Sequence, residues 1–223
     1  MRASRFLPVL VLSAALAATT GCASAPPPVS DKVQAAYERG RVLPTAAPVI
    51  RVAAVGDSTS EGSAPDFNQG ITGPLSWPNM LPKGMGFVGG WAKGGASTEL
   101  IRDRVSPIDA DVLVVMAGTN DEGRFGFAES AANISAIVDK AGVNRVIVSS
   151  IAPRDPEPVA AATYNAKLEP FVRAQGWEYV DAWAGVRTDA DQYAPGMTHD
   201  GIHPTQQAVD IVSQAISTAI LAK

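Results

Sequence analysis

From Val49 onward the chain alternates short β-branched runs with longer stretches whose apolar residues recur at helical spacing. Val49-Ile50-Arg51-Val52-Ala53-Ala54-Val55 is the first run, closed by Gly56. Asp111–Ala117 is the most strongly strand-like segment and also stops at a glycine, Gly118. Arg145–Ser150 and Trp177–Val180 read the same way, and Phe87–Ala92 is a weaker strand. Such short, almost uninterrupted apolar runs fit strands covered on both faces. Helices are predicted between them. Ser97–Arg104 has Ser97 or Thr98 as N-cap and Glu99 in its first turn. Phe127–Lys140 ends near Gly142, and Thr205–Leu221 is amphipathic and follows Pro204. Val159–Gln175 is long, and Pro170 is expected to kink or split it. Strands alternating with helices predict an α/β domain over residues 48–223, with a central parallel sheet of about five strands and helices on both faces. In such sheets the ligand crevice lies at the carboxyl ends of the strands.

The first 47 residues follow a different pattern. Arg2 and Arg5 precede an apolar run from Phe6 to about Ala18, too short to span a bilayer but of the length of a signal-peptide core. Residues 1–21 are therefore read as a signal peptide. The chain's single cysteine, Cys22, follows Thr19-Thr20-Gly21, which resembles a bacterial lipobox, although Thr19 stands where that pattern usually has Leu. The resemblance implies that Cys22 is lipidated and becomes the mature N-terminus. Residues 22–47 then form a tether, proline-rich at Pro26-Pro27-Pro28, with a short helix at Asp31–Arg39. The expectation is a lipid-anchored protein on the extracytoplasmic side of the cell membrane, or otherwise a secreted one.

Composition narrows the chemistry. One cysteine rules out an internal disulfide, and two histidines, His199 and His203, rule out a three-histidine zinc site. No metal or cofactor is expected. The net charge of −4 gives no basic face to attract phosphates, so nucleic acid is not an expected partner. Gly84-Met85-Gly86-Phe87-Val88-Gly89 satisfies a dinucleotide-binding pattern by letter, but it runs into a predicted strand where that motif must open a helix.

Three polar motifs follow predicted strand ends or precede the last helix. Gly56-Asp57-Ser58 places a serine just past a buried strand, where it projects into the crevice. Gly118-Thr119-Asn120-Asp121 places an amide donor past another. Asp200-Gly201-Ile202-His203-Pro204 brings a carboxylate and an imidazole together on one short loop, so that Asp200 orients one ring nitrogen and the other faces a serine. Each alone is compatible with an ordinary turn or cap.

Taken in this order, the motifs resemble the blocks of the SGNH (GDSL-like) hydrolase family. A looser second block falls at Ala92-Lys93-Gly94-Gly95-Ala96-Ser97, where Ala92 and Ser97 replace the family's usual Asn and second Gly. The resemblance implies a three-layer α/β/α, flavodoxin-like fold and a serine esterase working through an acyl-enzyme. It implies Ser58 as nucleophile, His203 as base and Asp200 as its orienter. It also implies an oxyanion hole from the backbone N–H groups of Ser58 and Gly94 and the side chain of Asn120. Asp57 and Asp121 are read as loop braces and His199 as a loop residue. The excursion Thr59–Pro82, with Phe67 and Trp77, is expected to shape the substrate pocket. The expected substrate is a small-molecule or glycan ester carrying a short acyl group. An acyltransferase passing the acyl group to a sugar hydroxyl would use the same triad, and a non-catalytic envelope binding module would have no need of it.

Overall fold

A computed structural model describes residues 50–121 and 123–222. The leader (1–21), Cys22, the tether (22–47) and the helix at 31–39 lie outside the described residues. The five predicted strands form as β1 (Ile50–Gly56), β2 (Met85–Ala92), β3 (Val112–Met116), β4 (Val146–Ser149) and β5 (Glu178–Val180). They pair in parallel in the order β2-β1-β3-β4-β5. That order is the flavodoxin-like arrangement, whose ligand crevice opens where the winding reverses, between β1 and β3. The dinucleotide-like glycines at 84–89 run into β2 and open no helix.

Among the described residues five helices accompany the sheet: α1 (Ser58–Glu61), α2 (Thr98–Arg104), α3 (Phe127–Ala141), α4 (Pro158–Ala174) and α5 (Gln206–Leu221). Their ends follow the predicted signals. The Ser97 side chain accepts from Leu100 N to cap α2, Gly142 closes α3 at φ 69°, and Thr205 caps α5. Of the two expected outcomes at Pro170, the split does not occur: one helix runs through it. Ala166, whose carbonyl loses its donor to the proline, is exposed, as is Pro170, so water can satisfy that carbonyl.

The strand side chains sort into two cores. Val52, Ala54, Val112, Val114, Met116 and Ile147 pack on Val209, Val212, Ile216 and Ile220 of α5. Ala53, Val55, Leu113, Val115 and Val148 pack on Ile101 of α2, Ile134 and Ile137 of α3, and Leu168 and Val172 of α4. Successive strand residues point to opposite faces, so both layers of helices are required, and each fully buried aliphatic side chain contributes roughly 1.5–3 kcal/mol. The result is the expected α/β/α sandwich.

The excursion after β1 is more ordered than a binding loop. It holds α1 and 3₁₀ turns at Phe67–Gln69 and Trp77–Met80, and both Phe67 and Trp77 are buried. Trp77 Nε1 donates to Ser60 Oγ at 3.3 Å and Ser76 Oγ donates to the Ser60 carbonyl at 2.8 Å. The segment is thereby pinned behind the helix that carries Ser58.

Candidate active site

β1 delivers the chain to Gly56, and Asp57 caps α1, so Ser58 is the first residue of a single helical turn at the carboxyl edge of the sheet. Asp57 Oδ1 accepts from Thr59 N at 2.9 Å and from Thr59 Oγ1 at 2.8 Å, which fixes the backbone around Ser58. The other oxygen, Oδ2, has no hydrogen-bond partner among the described residues. Asp57 is 1% exposed, and burial pushes its carboxyl up to about 6. It braces the loop, as expected, while the ring nitrogens of His203 are hydrogen-bonded to Asp200 and Ser58.

The second half of the site is the loop before α5. Thr198 Oγ1 donates to the His203 carbonyl at 2.8 Å and accepts from Gly201 N at 2.9 Å. Asp200 Oδ1 accepts from the backbone N–H groups of Ile202 at 2.9 Å and His203 at 2.7 Å. The loop is also tied to its surroundings. Asp155 N donates to the Gly201 carbonyl at 2.8 Å, Tyr193 N donates to Asp155 Oδ1 at 2.7 Å, and Tyr193 Oη donates to the Ile202 carbonyl at 3.0 Å. This frame leaves one imidazole bridging two predicted partners. His203 Nδ1 lies 2.8 Å from Asp200 Oδ2, and His203 Nε2 lies 3.2 Å from Ser58 Oγ. A carboxylate only accepts, so Nδ1 carries the proton and Nε2 presents its lone pair to the serine hydroxyl. The bond from the His203 ring, followed by the two backbone N–H groups, holds the Asp200 carboxyl well below the usual carboxylate range. His199 contributes a backbone N–H to the His203 carbonyl at 3.1 Å, a loop contact, as its reading as a loop residue requires.

The other predicted site residues follow the neighbouring strands. Gly94 lies just past β2, and its N–H donates to Glu61 Oε2 at 2.6 Å; the other carboxylate oxygen of Glu61 accepts from Lys93 Nζ at 3.0 Å. Asn120 lies just past β3 and donates one amide hydrogen to the Ala96 carbonyl at 3.0 Å, which leaves its second hydrogen to give. Gly118 precedes it at φ +127°, and a Cβ there would lie 2.2 Å from Tyr164 Oη, so only glycine fits. Asp121 is a brace, as predicted. It accepts from Thr98 N and Thr98 Oγ1, both at 2.8 Å, and from Ser130 Oγ, joining the β3 loop to α2 and α3.

Ser58 and His203 open onto a cleft of about 350 Å³ lined also by Glu61, Gly62, Ser63, Leu75 and Pro204. The excursion after β1 therefore does shape the pocket, through Ser63 and Leu75, while its aromatic residues serve the core. Sequence reasoning missed Glu61, although its position one helical turn after Ser58 places it on the same face. It also missed Lys93, the neighbour of the predicted Gly94. Asp155 and Tyr193 carry no local signal, because their role comes from the fold bringing β4's loop against the histidine loop. Among the described residues no His/Cys/Asp/Glu group is disposed to hold a metal ion, and no helix is long and apolar enough to cross a membrane.

The model of the GDSL-like Lipase/Acylhydrolase family matches residues 54–211, which include all three polar motifs. Among solved structures, a GDSL-like lipase from Bacteroides thetaiotaomicron superposes with a TM-score of 0.61 at 21% identity, covering 86% of this chain and 98% of that one. A member of the lipolytic protein G-D-S-L family from Veillonella parvula gives 0.58 at 15% identity, covering 77% and 97%. An acetyl esterase mutant with an acetate ion gives 0.56 at 16% identity, covering 78% and 97%. Comparison with curated proteins finds no match. The chain belongs to the GDSL-like lipase/acylhydrolase family and is a carboxylic ester hydrolase.

Proposed function

We propose that this enzyme hydrolyses short-chain acyl esters, with cell-envelope glycans as the natural alcohol, through a Ser58–His203–Asp200 relay. The observation that carries the reading is the unbroken hydrogen-bonded path from Ser58 Oγ to His203 Nε2 at 3.2 Å and from His203 Nδ1 to Asp200 Oδ2 at 2.8 Å. His203 takes the Ser58 proton as Oγ attacks the ester carbonyl carbon. The tetrahedral intermediate collapses to an acyl-serine, and the imidazolium returns the proton to the leaving alcohol oxygen. Water then repeats the sequence, with His203 as base, and releases the carboxylic acid. Asp200 keeps the ring in the productive tautomer and stabilises the imidazolium. The backbone N–H groups of Ser58 and Gly94 and the amide of Asn120 receive the oxyanion; one such donor is typically worth ~3–4 kcal/mol.

The small cleft supports a short acyl group, since about 350 Å³ has to admit the ester and part of its alcohol. The glycan assignment rests on the leader and Cys22, which would fix the mature enzyme to the extracytoplasmic face of the membrane. Two measurements test the proposal. A panel of p-nitrophenyl esters graded by chain length, followed by acylated cell-wall glycans, should show activity falling steeply beyond short acyl groups and lowered by orders of magnitude in Ser58→Ala. Full-length enzyme made in a bacterial host should partition into detergent, and Cys22→Ser should not. Preference for long acyl chains would overturn the substrate assignment, and equal aqueous recovery of both forms would overturn the anchor.

A further inference from the structure

Glu61 has no part in the mechanism above, yet its carboxylate sits on one of the mechanism's donors. Gly94 N donates to Glu61 Oε2 at 2.6 Å while Lys93 Nζ holds Oε1 at 3.0 Å. The Glu61 side chain is 20% exposed and forms a wall of the cleft shared by Ser58 and His203. The nucleophile is close by, because a Cβ built on Gly94 would lie 3.3 Å from Glu61 Oε2 and 3.9 Å from Ser58 Cβ. A single N–H cannot direct its hydrogen at a carboxylate and at a tetrahedral oxyanion together, and two anionic oxygens sharing one donor repel.

We propose that Glu61 is an internal competitor for the oxyanion site, occupying the Gly94 N–H between turnovers, yielding it to the ester carbonyl and reclaiming it from the carboxylate product. The inference rests on the proposed function, because that reading makes Gly94 an oxyanion donor. The exchange is non-covalent, and no proton need move. Lys93, 64% exposed on a long flexible stem, can follow Oε1 as the carboxylate withdraws, so the displaced charge keeps its counterion. The neutral carbonyl of a bound ester is a weaker acceptor than a carboxylate, so substrate binds only to the fraction of molecules in which Glu61 has withdrawn. Apparent affinity falls by that fraction. A product such as acetate is itself a carboxylate and meets the same competitor, so Glu61 limits product inhibition while raising KM.

Glu61→Ala removes the competitor, and Glu61→Gln keeps its shape with a neutral acceptor. For p-nitrophenyl acetate, KM is expected to fall about 3- to 10-fold in Glu61→Ala, with an intermediate fall in Glu61→Gln. The inhibition constant of acetate should fall by a similar factor, and the effect should appear mainly in KM. A readout independent of turnover is the Gly94 amide proton in a ¹⁵N-resolved NMR spectrum. It should lie far downfield in the wild type, move upfield in Glu61→Ala, and return downfield when acetate is titrated into that variant. Unchanged KM and acetate inhibition in both variants, or a Gly94 resonance indifferent to Glu61, would overturn the proposal. If the wild type hydrolyses no ester, the function fails, but the Gly94 resonance still decides where the Glu61 carboxylate sits. If the wild type is active and Gly94 does not respond, only the competitor role fails.

Discussion

Asp57 and Asp200 approach the Ser58–His203 contact from opposite environments. Asp57 is 1% exposed behind β1, has one oxygen without a hydrogen-bond partner among the described residues, and has its carboxyl pushed up to about 6. The Asp200 side chain is 51% exposed, every bond it makes is local to its own loop, and its carboxyl is held low. The serine end of the site is thus positioned by the sheet and its buried braces. The histidine end is positioned by a surface loop held by hydrogen bonds among its own residues and by the contacts of Gly201 and Ile202 with Asp155 and Tyr193. Substitutions at the loop end should therefore cost activity with little loss of stability, and substitutions in the framework should do the reverse.

The largest effect tests the contact itself. Ser58→Ala and His203→Ala should each lower turnover of a short-chain ester by about 10³–10⁶. Neither side chain is in the core, so denaturant midpoints should stay near wild type. A Ser58→Ala enzyme with near-wild-type turnover, or failure of a serine-directed phosphonate to label Ser58, would remove the serine from the mechanism. Next is Asp200→Asn, which leaves the loop acceptors in place but favours the wrong ring tautomer. A loss on the order of 10²–10⁴ is expected, and the double variant with His203→Ala should be no worse than His203→Ala alone, since both act on one proton transfer. Wild-type turnover in Asp200→Asn would make Asp200 a loop brace only.

The same contrast explains what could be read in the sequence. The central strands were legible because each is an apolar run bounded by glycine or polar residues, as in Val112–Met116, where every residue is buried; the edge strands, glycine-bearing β2 and the short β5, carry a weaker signal. The relay was legible because Asp200 and His203 share one loop and Ser58 follows a strand, and because the three motifs in this order resemble the family's blocks; each motif alone reads equally as a turn or a cap. The continuity of α4 through Pro170 was not, because it depends on which face of the helix meets water. The burial of Phe67 and Trp77 was also hidden, since an irregular, aromatic-bearing segment has no periodicity to show which way its side chains turn. Glu61 on Gly94 and Asp155 on Gly201 are contacts across 33 and 46 residues of chain, and only the fold creates them.

On the framework side, Gly118→Ala forces a Cβ to within 2.2 Å of Tyr164 Oη at φ +127°. Overpacking with unfavourable backbone should cost about 2–4 kcal/mol of stability. Tyr164→Ala in the same chain should recover part of that relative to Tyr164→Ala alone, because it clears Oη, Cζ and Cε1, which would lie 2.2, 2.3 and 2.6 Å from the added Cβ. Urea unfolding of the two single variants and the double decides it. No recovery in the double variant would mean that the backbone conformation, and not the contact with Tyr164, selects glycine.

The smallest effect separates the two carboxylates by pH. The folded-state carboxyl of Asp57 titrates near 6 against an ordinary value of 3.8, so the native state binds this proton more tightly than the unfolded chain. Its contribution to stability is therefore fully present below about pH 4 and is lost as the pH rises through 6. The shift corresponds to a loss on the order of 3 kcal/mol. Asp200 has the opposite sign, since its folded-state value is depressed: what it contributes is present above about pH 4 and lost as the pH falls further. The two windows barely overlap, so a single substitution can separate them. Asp57→Asn keeps an oxygen for the Thr59 N–H and removes the titration. Between pH 4 and 7 the wild type should lose stability relative to this variant, and below pH 4 the difference between the two should stop changing. Urea unfolding free energies at pH 3, 4, 5, 6 and 7 provide the comparison. Parallel curves for the two proteins across pH 4–6 would mean that Asp57 keeps an ordinary carboxyl, and that the two hydrogen bonds from Thr59 offset its burial.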